Sequence, residues 1–236
     1  MAQLAQTHPP ASTTPSTTVL RITQHHLDVA DRRAVAAFPQ AVIAVHPGVD
    51  ILVNNAGVAI GGNFEAVSEE DFEWLFEINF WGVVRMTRAF LPLLQKSDDA
   101  RLVNLSSIYG IISPPGQTAY SASKFAVRGF SNSLLHELAG SKVGVTVVHP
   151  GGIATSIADN ARVPKDMPPE EAAKRKAIAK KALRMPPEAA GEIIVKGIER
   201  RSPRVLVGND ARFLSFLERV APISYWKIFS RFLPTS

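Results

Sequence analysis

The sequence predicts a single α/β domain, and three observations carry that prediction. Short runs rich in apolar and β-branched residues, at 49–54, 102–105, 143–149 and 204–208, have the length and composition of buried strands. Between them, longer stretches repeat apolar residues at helical spacing, as in Phe72, Leu75, Phe76, Val83 and Phe90, and again in Phe125, Phe130, Leu134 and Leu138. The length of 236 residues, 46% hydrophobic and 20% charged, suits one domain with a sizeable core.

Residues 1–18 are rich in Thr, Ser, Pro, Ala and Gln without helix or strand period, which predicts a disordered or poorly packed tail ahead of one domain at 19–236. Val19, Leu20 and Ile22 predict a short strand leading to His25-His26-Leu27-Asp28-Val29, and Asp31 is placed to cap a helix over 32–45. After the strand at 49–54, Ser68-Glu69-Glu70-Asp71 resembles a capping box with an acidic first turn. It opens one long helix whose apolar stripe runs from Phe72 to Leu91, with Asn79 inside it. Pro150-Gly151 ends the strand at 143–149. The segment 156–185 is polar, basic and proline-bounded, with a short helix over 169–181. A further helix begins at Pro186-Pro187-Glu188, and 209–236 form an amphipathic tail of dense aromatic and aliphatic residues interleaved with Arg212, Arg219, Lys227 and Arg231.

The chemistry concentrates between Arg101 and Phe130. The strand at 102–105 delivers Ser106 and Ser107 at its carboxyl end, Ser113-Pro114-Pro115-Gly116 breaks the pattern, and Tyr120 and Lys124 then share a helix face four residues apart. A phenol with a reference pKa of about 10 is a poor proton-transfer group at neutral pH, and an ammonium one turn away should lower it. Tyr120 then becomes a general acid or base, and the hydroxyl of Ser107, preferred over Ser106, can hold the oxygen whose proton it exchanges.

Composition excludes other classes. There are no cysteines, so disulfides and thiolate metal sites are ruled out, and the six histidines include no pair at ligand spacing on a predicted helix, so no metal site is expected. The net charge of +5 is uneven: residues 1–150 carry 10 Lys+Arg against 12 Asp+Glu, and residues 151–236 carry 16 against 9. That basic half reads as solvated helix faces or as attraction for an anionic cofactor, substrate or membrane surface. No motif supports nucleic-acid binding. No run has the length of a membrane span and the N-terminus lacks a signal-peptide core, so the protein is expected to be cytoplasmic.

Ser107 followed by Tyr120-Ser-Ala-Ser-Lys124 resembles the active-site signature of the classical short-chain dehydrogenase/reductase family. Asn54-Asn55-Ala56-Gly57, Asn79 within Glu-Ile-Asn-Phe-Trp-Gly, and His149-Pro150-Gly151-Gly152-Ile153-Ala154-Thr155 match three more family motifs in the family's order, and the match covers roughly residues 24–208. The resemblance implies a Rossmann-like doubly wound parallel sheet and an NAD(P)-dependent oxidoreductase interconverting a carbonyl and an alcohol. It makes Tyr120 the acid/base, Lys124 the group that lowers its pKa and binds the nicotinamide ribose, Ser107 the holder of the substrate oxygen, and Asn79 part of a proton relay through Lys124 and water. Asp28 would meet the adenine, Asn54, Ala56, Gly57, Pro150 and Gly151 would flank the dinucleotide, and Ile153 and Thr155 would line the nicotinamide carboxamide. Tyr109, Ile111, Ile112 and Pro114 are candidates for an apolar substrate-pocket wall, and 156–185 holds the position of the family's substrate lid. The family also implies a homodimer or tetramer. For the aromatic tail, packing over the substrate pocket or a neighbouring subunit and shallow peripheral attachment to a membrane are both open.

The sequence departs from its family in one respect. The family's first strand is followed by a Gly-x-x-x-Gly-x-Gly turn, a helix and a second strand, yet this chain has no glycine before Gly48, and only 53 residues precede Asn54. Two βαβ units do not fit in that space. The expectation is therefore an N-terminally truncated sheet without its first βαβ unit, lacking the main pyrophosphate anchor and leaving an apolar edge on the strand at 49–54. Either Val19–Thr23 covers that edge, or the chain leans on a partner or aggregates. NAD and NADP are not distinguished, because the residues that set the preference belong to the missing unit. A rival reading is a truncated, non-catalytic relative that binds no dinucleotide and acts through subunit association.

Overall fold

A computed structural model describes residues 22–232. Its centre is a four-stranded, wholly parallel sheet, β1 (Ile51–Asn54), β2 (Ala100–Leu105), β3 (Val143–Pro150) and β4 (Arg204–Val207), in the order β1-β2-β3-β4. Parallel neighbours need crossovers, and the intervening chain supplies helices: α1 (Arg32–Ile43), α2 (Glu69–Phe76), α3 (Gly82–Leu94), α4 (Thr118–Glu137), α5 (Pro169–Ala182), α6 (Pro187–Glu199), α7 (Asn209–Val220) and α8 (Tyr225–Phe229). The expected α/β, Rossmann-like parallel arrangement is what forms.

Alternation along the strands sorts the core into two layers. Leu52, Leu102, Ala100, Val143 and Val145 face one way and pack with Val35 of α1 and Met86, Phe90 and Leu94 of α3. Val103, Leu105, Val148, Val205 and Val207 face the other way against Ala190, Ile193 and Ile194 of α6. The first layer also carries a polar ladder. Asn54 Nδ2 donates to Asn104 Oδ1 at 2.8 Å and to Thr87 Oγ1 at 3.2 Å, Asn104 Nδ2 donates to Ser131 Oγ at 3.0 Å, and Ser131 Oγ donates to the Val127 carbonyl at 2.7 Å. All four side chains are buried, so each amide and hydroxyl depends on its neighbour.

Local cues set several boundaries. Asp31 Oδ1 accepts from Arg33 N and Ala34 N at 2.9 and 3.0 Å, and Ser68 Oγ accepts from Asp71 N at 3.2 Å, so both predicted caps are made. The long helix expected from Phe72 to Leu91 is instead interrupted by a π turn over Glu77–Trp81, between α2 and α3. The Gly82 N–H closes it on the Glu77 carbonyl, and the extra residue turns Asn79 fully inward.

The predicted tail and the strand residues Val19 and Leu20 lie outside the described residues. Ile22 and Thr23 form no strand, and Ile22 is exposed. Among the described residues β1 is therefore an edge, and its Ile51 and Val53 are 50% and 44% exposed. No helix among the described residues is long and apolar enough to cross a membrane.

The buried ladder gives a direct test. Asn104→Ala removes the acceptor of Asn54 and the donor to Ser131, and should lower unfolding stability by about 2–4 kcal/mol, read as a lower denaturant midpoint at unchanged slope. A loss below about 0.5 kcal/mol would show that the ladder is not needed.

Candidate active site

β2 ends at Leu105, and the chain enters a tight turn at Ile108–Gly110 whose first N–H groups need partners. Ser107 Oγ accepts from Tyr109 N at 3.1 Å. That bond uses the serine oxygen as acceptor and leaves its proton to donate. Ser106 is employed differently: its Oγ donates to the Lys124 carbonyl at 2.8 Å and so locks β2 to α4. Gly110 is required at this contact, because a Cβ there would collide with Ser106 Oγ and the Lys124 backbone. The preference for Ser107 over Ser106 thus has a structural reason.

Tyr120 and Lys124 rise from the first turns of α4. Lys124 is only 5% exposed, and its Nζ donates to the Leu105 carbonyl at 3.1 Å and lies 5.7 Å from the centroid of the Tyr120 ring. Tyr120 meets Tyr109 edge-on at 6.1 Å between ring centroids. Asn79, wholly buried, accepts from Val58 N at 2.8 Å, and its Nδ2 donates to the Val58 carbonyl at 2.9 Å and Ser123 Oγ at 3.2 Å. It therefore fastens the loop after β1 to α4. A Cβ on Gly57 would stand 3.3 Å from Asn79 Oδ1 and 3.4 Å from Lys124 Nζ, which places Gly57, Asn79 and Lys124 at one point.

The electrostatics correct the sequence reading of Tyr120. Burial pushes its phenol up to about 12, a hydrogen bond with Ser107 pulls it back only in part, and Tyr109 adds to the rise. Burial also draws the Lys124 ammonium down to about 8. Helical spacing brings the lysine alongside the ring, but burial sets the net shift of the phenol, which is upward rather than downward. At neutral pH Tyr120 is a proton-bearing acid and Lys124 is mostly charged.

The remaining predicted residues divide. Ala56 and Gly57 are exposed beside the lysine, whereas Asn54 is turned into the ladder and points its amide at Thr87 and Asn104. Asp28 is exposed, and its Oδ1 accepts from Ala30 N at 2.9 Å, shaping the turn before α1. Gly151 N donates to the Val207 carbonyl at 2.9 Å, Ile153 pairs with Met185, and Thr155 is exposed. Of the supposed pocket wall, Tyr109 stays partly open, and Pro114 borders a shallow cleft with Pro115, Phe125 and Trp226. Ile111 and Ile112 do not form a wall. They are buried with Ile108 beneath Ala211 and Leu214 of α7, because the tail covers them.

Three contacts were missed by sequence reasoning. Asp210, at the second position of α7, accepts from Gly152 N at 2.7 Å, and a Cβ on Gly151 would strike its carboxylate. The Gly151-Gly152 pair and an acid in a helix's first turn were the available cues. His149 Nδ1 lies 2.9 Å from the Ser107 carbonyl, so it is the protonated nitrogen, and burial lowers the imidazole to about 4. Arg162 reaches from the segment between β3 and α5 to the buried Asp71 at 2.8 Å and stacks over Trp74 at 3.5 Å.

Lys124 is charged at a position where burial opposes charge. That penalty is fully present below pH 8, the folded-state value, and is relieved as pH rises towards the unfolded value of 10.5. Lys124→Met removes a penalty of about 3 kcal/mol and a hydrogen bond worth about 1 kcal/mol. The variant should therefore be about 2 kcal/mol more stable than the parent chain at pH 7, with a smaller advantage at pH 10, in denaturant unfolding. A variant less stable by the same amount at both pH values would contradict this.

The comparisons with known proteins agree with the fold and the motif order. The family model for short chain dehydrogenases matches residues 7–166. The Mycobacterium tuberculosis protein SadH, named as an oxidoreductase, is 40% identical over 210 residues, covering 88% of this chain and 75% of its own length. The 3-ketodihydrosphingosine reductase of Bacteroides thetaiotaomicron is 36% identical over 149 residues, 63% of this chain and 55% of its own. Among solved structures, a short-chain dehydrogenase from Streptomyces avermitilis superposes with a TM-score of 0.71 at 32% identity, over 87% of this chain and 78% of that one. A short chain dehydrogenase/reductase from Burkholderia phymatum in complex with NAD gives 0.75 at 28% identity, over 89% and 76%. By its motifs, its fold and these relatives, the chain belongs to the short-chain dehydrogenase/reductase family.

Proposed function

We propose that this chain is an NAD- or NADP-dependent oxidoreductase that interconverts a carbonyl and an alcohol on an apolar substrate. The observation that carries the reading is the convergence of a proton-bearing Tyr120, hydrogen-bonded with Ser107, and a buried, charged Lys124 at the carboxyl end of β2. A site that withdraws a phenol and an ammonium from water together favours proton transfer over ordinary surface chemistry.

The residues present fit a dinucleotide. An ammonium has three donors and the Leu105 carbonyl takes one, so the buried Nζ has capacity for ribose hydroxyls. Gly57 leaves open the space that a Cβ would fill between Asn79 and Lys124. Ala56, Gly57, Tyr120, Lys124, Pro150, Gly151, Ile153 and Thr155 would hold the group, which when bound supplies the hydride. Asp28 is exposed and would remain available to the adenine, whereas Asn54, committed to the buried ladder, would act only by holding the end of β1 in place.

In the reducing direction Ser107, its oxygen already engaged by Tyr109 N, donates its proton towards the substrate carbonyl oxygen and fixes its place. Tyr120 then gives its proton to that oxygen as charge develops there, and the ammonium of Lys124 stabilises the tyrosinate left behind. Asn79 keeps the loop at 55–58 against α4, so that the lysine and the open space at Gly57 stay in register. Two observations support the substrate class: the half-buried aromatic ring of Tyr109 stands edge-on to Tyr120, and one relative is named for reducing a 3-keto compound.

A panel of aliphatic and aromatic ketones assayed with NADH and NADPH tests the reading. Tyr120→Phe should lower kcat/KM by about 10²–10⁴-fold, with the circular dichroism spectrum and melting profile retained. Undiminished turnover in that variant would remove Tyr120 from the mechanism. A panel that yields no turnover with either cofactor would reject the oxidoreductase reading.

A further inference from the structure

The two faces of α7 are used differently. Ala211, Leu214 and Leu217 are buried, and the first two pack on Ile108, Ile111 and Ile112 in the chain that follows Ser107. Phe213, Phe216 and Val220 are 52%, 64% and 60% exposed on the outer face, and Ile223, in the turn before α8, is 97% exposed. The spacing of 3 and 4 residues aligns Phe213, Phe216 and Val220 in one stripe along α7, and Ile223 follows in the turn beyond its end. A stripe of this kind is more than scattered surface apolarity.

Charge distinguishes the stripe's surroundings. Arg212 and Arg219 are exposed beside Phe216 on the same helical face, seven residues apart, and neither is in an ion pair among the described residues. The two acids of the helix are engaged elsewhere: Asp210 accepts from Gly152 N, and Glu218 is half-buried and acts on Arg204. The outer face of α7 is therefore apolar and cationic without a compensating acid. A two-fold contact with a second copy would set these arginines against themselves. Lipid phosphates and carboxylates neutralise them while the acyl boundary takes the aromatic rings.

We propose that the outer face of α7 and the turn after it dock on an anionic lipid surface, with Phe213, Phe216, Val220 and Ile223 entering the headgroup boundary and Arg212 and Arg219 on the headgroups. The proposal does not depend on the catalytic reading, and vesicle binding is measured without turnover. It joins that reading at one point: the same helix covers the isoleucines beside Tyr109, so docking brings the site close to where apolar carbonyl compounds partition.

The full chain is sedimented with phosphatidylcholine vesicles, with and without phosphatidylserine. Binding is expected on the anionic vesicles, with steep weakening as salt rises, and much less on phosphatidylcholine alone. Phe216→Asp should weaken it at least about tenfold, and Arg212→Ala with Arg219→Ala by about tenfold or more with a flatter salt dependence. All three positions are exposed, so the melting profile should not move. No binding to anionic vesicles at low salt, or binding unchanged in these variants, overturns the proposal. So does a wild-type oligomer that Phe216→Asp dissociates, because the stripe would then be covered by a second copy.

Discussion

Placing an ammonium inside the domain is the constraint on which the rest of the site depends. Lys124 is nearly inaccessible, and water cannot solvate its charge, so the end of β2 has to. Leu105 offers its carbonyl, Ser106 clamps the lysine's own backbone, and Gly57 keeps the loop after β1 close without filling the space beside Nζ. That loop is in turn held by Asn79, whose inward direction comes from the π turn between α2 and α3. A single buried charge thus connects β1, β2, the broken helix and α4.

The same arrangement explains why the site is not optimised for stability. Burial acts against the ionised forms of both Tyr120 and Lys124, raising one and lowering the other. A hydrophobic residue at the lysine would fold better and do nothing, a familiar consequence of functional charge in a core. Support comes from a second set of contacts at the same carboxyl ends of the strands. His149 holds the Ser107 carbonyl from β3, and Asp210 ties the turn after β3 to α7. The segment between β3 and α5 is fastened to α2 through Arg162, Asp71 and Trp74.

What could be read from the sequence was what is local. Strand positions followed from β-branched runs, caps at Asp31 and Ser68 from residue type, and the shared face of Tyr120 and Lys124 from a four-residue spacing that any helix enforces. The π turn could not be read, because an apolar stripe from Phe72 to Leu91 fits an unbroken helix equally well. Burial depth was equally hidden: spacing brought Lys124 near Tyr120 but could not show that the ring itself is withdrawn from water, and this burial reversed the expected shift of the phenol. Ile111 and Ile112 read as a pocket wall because nothing in their own neighbourhood announces that α7, a hundred residues on, covers them. Asp210 with Gly152, Arg162 with Asp71 and His149 with Ser107 are likewise contacts between distant positions. An absence of glycine before Gly48 was plain in the sequence, and among the described residues β1 lies at the sheet edge.

On the reading proposed above, the buried lysine and its neighbours form a binding site for a nicotinamide dinucleotide. Calorimetric titration of the folded chain with NADH and with NADPH tests it most directly, beside Lys124→Met as a control whose fold is intact. Saturable binding of at least one dinucleotide at micromolar concentration, abolished in the control, is the predicted result. A folded parent chain that takes up neither dinucleotide at millimolar concentration, or a control that binds as well as the parent, would contradict the account.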